Sequence, residues 1–108
     1  MAGIRVVSKR KTGVTARADE LVVGIDRPSG SVLQNRHFMA REDQRAAVIT
    51  SFREDLIDDW HAHGPMRTEL QRIAELVRSG QDVALACWCA PKPCHGDVIK
   101  RAIEALLA

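Results

Sequence analysis

The run Val83-Ala84-Leu85-Ala86-Cys87-Trp88 restricts the fold more than any other feature, because it leaves no polar side to turn toward water. A strand of that kind needs cover on both faces, and the middle of a parallel sheet supplies it. A central strand is therefore predicted over residues 82–88. Two shorter β-branched runs, Ile4-Arg5-Val6-Val7 and Leu21-Val22-Val23-Gly24-Ile25, supply its neighbours. The second stops at Asp26-Arg27-Pro28-Ser29-Gly30, where proline removes a donor and glycine permits unusual backbone angles. A loop leaves the carboxyl end of that strand and runs through Asn35 and His37.

Between the second and third strands, Val48, Ile49, Phe52, Leu56 and Trp60 recur at helical spacing, with Arg53, Glu54, Asp58 and Asp59 on the other faces. This predicts an amphipathic helix over residues 41–60, ended by His61-Ala62-His63-Gly64-Pro65. A second helix carries Met66, Leu70, Ile73 and Val77 on one face, with Gly80 as its left-handed cap. The last helix has the stripe Val98, Ile99, Ala102, Ile103, Leu106 and Leu107. Trp60 and Trp88 fall on apolar stretches and are assigned to the core.

Strand, strand, helix, helix, strand, helix is the order of a small α/β domain. We expect a sheet of about three strands, at least partly parallel, packed with three to four helices, with a right-handed crossover from the second strand to the third. A chain of 108 residues, 45% hydrophobic, supports one core, so residues 1–108 are read as a single domain.

The charge balance excludes little but ranks the partners. A net charge of +2 does not announce nucleic acid; the one basic cluster, Lys9, Arg10 and Lys11 with Arg5 and Arg17, has no aromatic platform beside it, since only 4% of residues are aromatic and none is tyrosine. No apolar run approaches the roughly 20 residues that span a bilayer. Residues 1–5 lack a leader-like stretch. A cytoplasmic protein without a membrane partner is expected.

In a thiol-reducing compartment, three cysteines within eight residues, Cys87, Cys89 and Cys94, point to chemistry rather than to a disulfide framework. They lie between the central strand and the last helix, on the side of the sheet where α/β folds bind ligands. Cys94 and His95 open the helix, where unpaired N–H groups favour an anion or a thiolate. Three readings follow. Cys87, Cys89, Cys94 and His95 could hold zinc, or the cysteines an iron–sulfur cluster. Cys94 could be a nucleophile with His95 as its base. The cysteines could instead be small buried apolar residues. Arg27, Ser29 and Asn35, on the loop that should face them, are candidates to bind the phosphate or sugar of a small ligand, or are simply turn residues. His61 and His63 read as solvated.

The segment Leu85-Ala86-Cys87-Trp88-Cys89-Ala90-Pro91, followed by Cys94-His95-Gly96-Asp97, resembles DUF4326, a domain-of-unknown-function family of bacteria and bacteriophages. The resemblance extends to the opening strand and to Asp26-Arg27-Pro28-Ser29 through Leu33 and Asn35. Where that family's loop reads Gly-Asn-Pro-Phe, this chain has Gln34 for the glycine and Arg36 for the proline. The closing motif is also similar to a second uncharacterised α/β family that opens its last helix with Cys-His-Arg, which shows a Cys-His pair serving at a helix start without the other cysteines. The DUF4326 resemblance implies an α/β fold and nucleotide-linked or phage-linked biology. The leading expectation is an enzyme-like domain that binds a nucleotide or nucleoside-like molecule at the Cys/His site, with or without a metal. The alternative is a non-catalytic binding module with structural zinc or a purely structural cysteine cluster.

Overall fold

A computed structural model describes residues 2–8, 17–37, 39–88 and 92–108. Strand β1 (Ile4–Ser8) and strand β2 (Glu20–Gly24) flank strand β3 (Asp82–Cys87), and both pairings are parallel. Helices α1 (Arg45–His61) and α2 (Pro65–Arg78) connect β2 to β3, and α3 (His95–Leu107) follows β3. The three-stranded sheet is thus wholly parallel, with the apolar run at its centre as its composition requires.

Register and side-chain alternation divide the sheet into two faces. Val6 and Val23 are both aligned with Leu85, and the three pack into the core under the helices together with Ile4, Val83 and Cys87. Phe52 and Leu56 of α1, Leu70, Ile73 and Val77 of α2, and Ile99 and Ile103 of α3 complete that core. Truncating one of these larger side chains to alanine costs about 2–5 kcal/mol. On the opposite face the neighbours are Arg5, Ala84 and Val22. The small Ala84 lets Arg5 reach across β3, and its Nε and Nη2 donate to the two carboxylate oxygens of Glu20 at 2.7 Å each, clamping the outer strands together.

Local chemistry sets the helix ends. Helix α1 starts at Arg45 rather than 41, because residues Glu42–Gln44 form a 3-10 turn in which Gln44 Oε1 accepts the N–H groups of Ala40 and Arg41. Helix α2 begins at Pro65, and Asp59 of α1 accepts the N–H groups of Met66 (3.2 Å) and Arg67 (2.8 Å) in place of a capping side chain. At its other end Gly80 has φ +106°, its N–H donates to the Val77 carbonyl, and the Gln81 N–H donates to the Leu76 carbonyl, which is a Schellman motif. None of the helices described is long and apolar enough to cross a membrane.

One assignment is corrected. Trp60 does pack against the core, but Trp88 is 46% exposed. The strand ends at Cys87, so the indole stands just beyond the sheet, outside the cover the helices give β3.

Candidate functional site

The carboxyl ends of β2 and β3 carry the site. After β2 the chain folds back through a 3-10 turn, Arg27–Ser29, closed by Gly30 at φ +69°. The turn is tight: a Cβ on Gly24 would stand 2.7 Å from Ser29 Cβ. Ser29 Oγ donates to the Asp26 carbonyl at 2.6 Å and accepts the Ser31 N–H, so it stabilises the turn. Asn35 has a comparable part, its Nδ2 donating to the Val48 carbonyl and its Oδ1 accepting the His37 N–H.

Helix α3 meets this turn with an unusual cap. Cys94 is the N-cap: its Sγ accepts the Gly96 N–H at 3.2 Å, while its own N–H donates to Asp97 Oδ2 at 3.0 Å. A sulfur so placed meets a backbone donor and the positive end of the helix dipole. Cys87 Sγ lies 3.1 Å from Cys94 Sγ, and both residues are buried. The packing leaves little slack, since a Cβ on Gly96 would be 3.0 Å from both Ile25 Cδ1 and Val6 Cγ1 and 3.1 Å from Cys94 Sγ.

His95 is buried, with Phe52 edge-on at 5.0 Å between ring centroids. Its Nε2 lies 2.8 Å from the Ile25 carbonyl, which can only accept, so Nε2 carries the hydrogen and Nδ1 the lone pair. Burial pushes the imidazole pKa below its ordinary value of 6.5, and the bond to Ile25 opposes this only in part. The ring is therefore neutral at physiological pH.

Together these elements border a pocket of about 330 Å³. Its lining comes from Asp26, Arg27 and Pro28 after β2, from Asn35, His37 and Met39 farther along, from Arg45, Val48 and Ile49 of α1, and from Cys87, Trp88, Cys94 and His95. Asp26 Oδ2 accepts the Trp88 indole N–H at 2.7 Å, which joins the two strand ends. Arg27 Nε donates to the Asn35 carbonyl at 3.0 Å. His37 Nε2 is 2.6 Å from Asp55 Oδ2. The buried Arg45 binds Glu42 through Nε and Nη2 and gives Nη1 to the Pro93 carbonyl at 2.7 Å, anchoring the approach to α3 onto the start of α1. Arg45 also holds the Glu42 carboxyl below the usual carboxylate range.

Of the residues singled out from sequence, Cys87, Cys94, His95, Arg27 and Asn35 line this one pocket, and Ser29 is not part of the lining. Cys89 and the basic run Lys9, Arg10 and Lys11 lie outside the described residues. His61 and His63 are exposed and are not part of the pocket lining. Among the described residues, no group of three or more His, Cys, Asp and Glu side chains is gathered as a metal would require. Among the described residues the donors brought together are the two thiols, and tetrahedral zinc would need two further ligands.

Asp26, His37, Met39, Arg45 and Trp88 belong to the site but were not singled out as site residues from sequence. The one local signal was Trp88 directly after Cys87 at a strand end. Asp26 and Arg45 find their partners 62 and 48 residues away.

No curated protein and no solved structure matches the chain. The family described as Domain of unknown function (DUF4326) matches residues 6–105, nearly the whole sequence, and the chain therefore belongs to the DUF4326 family.

Proposed function

We propose that this protein is an enzyme-like domain that binds a nucleoside-like or nucleotide-like molecule between the ends of β2 and β3 and acts on it through Cys94. One observation carries the reading: a single pocket of about 330 Å³ gathers a helix-capping thiol, a neutral buried histidine, an arginine and an exposed tryptophan. That volume suits a small molecule. Met39, Val48, Ile49 and the Trp88 indole offer apolar surface to a planar ring. Arg27 and the amino end of α3 offer positive potential to a phosphate or polar substituent. Cys94 is the nucleophile in this reading, and His95 Nδ1 the group that accepts a proton.

Fluorescence titration with a panel of nucleosides and nucleotides tests the proposal. A true ligand changes Trp88 emission, and the change is lost in Trp88→Phe while Trp60 remains as an internal reference. It also stabilises the fold by about 2.7 kcal/mol at a hundredfold excess over Kd. A panel that alters neither emission nor stability contradicts the reading.

The closeness of Cys87 and Cys94 favours one other function, a binding module in which the cysteines hold structural zinc. About one zinc per purified chain, with unfolding on chelation, would select it.

A further inference from the structure

We infer that Cys94 and Cys87 form a thiol–disulfide couple that reacts with low-molecular-weight disulfides entering the pocket, Cys94 attacking and Cys87 resolving. The inference goes beyond the ligand reading and does not depend on it, because the reaction is read on the sulfurs themselves.

Geometry assigns the two roles. Cys94 Sγ sits at the start of α3 and accepts the Gly96 N–H, the setting that favours an attacking thiolate. Cys87 sits at the end of the central strand, without a helix end behind it. Their sulfurs are 3.1 Å apart, and closing a bond brings them to ~2.05 Å. Both thiols line the pocket although each is almost fully buried, so the pocket is the side from which a reagent would approach them.

The chemistry balances in two exchanges. The Cys94 thiolate attacks one sulfur of the incoming disulfide; that disulfide bond breaks, one half leaves as a thiolate and takes a proton from water, and the other half remains on Cys94. Cys87 then gives its proton to water and attacks Cys94 Sγ; the mixed disulfide breaks, and the second half leaves as a thiolate that takes a proton from water. Two protein thiols and one small disulfide become one protein disulfide and two small thiols. The protein loses two electrons and the reagent gains them. Because the α3 cap favours the reduced, anionic form of Cys94, excess thiol reopens the bond readily.

The test treats the reduced Cys89→Ser chain with oxidised glutathione, blocks residual thiols, and reads intact mass and a peptide map. The expected product has lost the mass of two hydrogens, carries no adduct, bridges Cys87 to Cys94, and reverts with dithiothreitol. With Cys87→Ser added, the reaction stops at a glutathione adduct on Cys94. With Cys94→Ser added instead, it slows by at least about tenfold. A persistent adduct while both thiols are present, an adduct on Cys87 in a chain that keeps Cys94, or no reaction without denaturant overturns the inference. Where a variant fails to fold by circular dichroism, the natural sequence decides: a Cys87 to Cys94 bridge supports the inference, and a bridge through Cys89, or none, overturns it.

Discussion

At the amino end of the sheet a hollow is lined by charged groups that pair with one another, whereas at the carboxyl end the pocket lining brings together thiols, a neutral imidazole and an indole. Arg5 and Glu20 pair across β3, the Arg17 N–H also donates to Glu20, and Asp82 accepts the Gly3 N–H at 2.7 Å. A hollow of about 330 Å³ lies there as well, matching in volume the pocket at the other end. Its carboxylates already have matched donors in the chain. At the carboxyl end, Asp26, His95 and Cys94 are each fixed by a bond to the fold while they line the pocket. Equal volume therefore does not make an equal site; the difference lies in the lining, a paired guanidinium and carboxylate at one end and two thiols, a neutral imidazole and an indole at the other.

The comparison can be broken in steps, beginning with the tightest packing. Gly96→Ala forces a methyl against Ile25, Val6 and the Cys94 sulfur, and should cost about 1–3 kcal/mol in chemical denaturation while changing thiol reactivity. Trp88→Phe removes one donor to the buried Asp26, and should cost about 0.5–1.5 kcal/mol and abolish any ligand-dependent fluorescence.

At the amino end the corresponding probe is acid. Arg5, chiefly by its hydrogen bond, holds the Glu20 carboxyl down to about 2 from an ordinary value of 4.5. A carboxylate with a depressed folded-state pKa stabilises the fold fully above its unfolded value, and that contribution is lost as pH falls through the folded one. The difference in Tm between the natural protein and Glu20→Gln should therefore be constant above pH 4.5 and shrink progressively toward pH 2. Ligand binding near neutral pH should be the same in both. The smallest effect belongs to His61→Ala, on the exposed end of α1, which should change stability by less than about 0.5 kcal/mol and leave binding and metal content untouched.

Much of this architecture was legible in the residues. The apolar run of β3, the helical spacing of Phe52 and Leu56, the Gly64-Pro65 start of α2 and the left-handed Gly80 each act locally, so the sequence displays them. The Cys94-His95 start of α3 was visible for the same reason. What stayed hidden depends on distant partners. Asp26 reads as a turn residue until Trp88 donates to it, and Arg45 as an ordinary helix residue until Pro93 comes within 2.7 Å. Trp88 was misassigned because an apolar neighbourhood in sequence does not show where the strand stops.

The most direct test of the carboxyl-end site is an amide and indole NMR titration of the whole chain with the nucleoside and nucleotide panel. The account predicts that shifts concentrate at the Gly96 N–H, His95, Arg27 and the Trp88 indole N–H, with Gly3, Arg5 and Glu20 unmoved. Shifts centred on the Gly3, Arg5 and Glu20 end, or no shifts with any member of the panel, would contradict it.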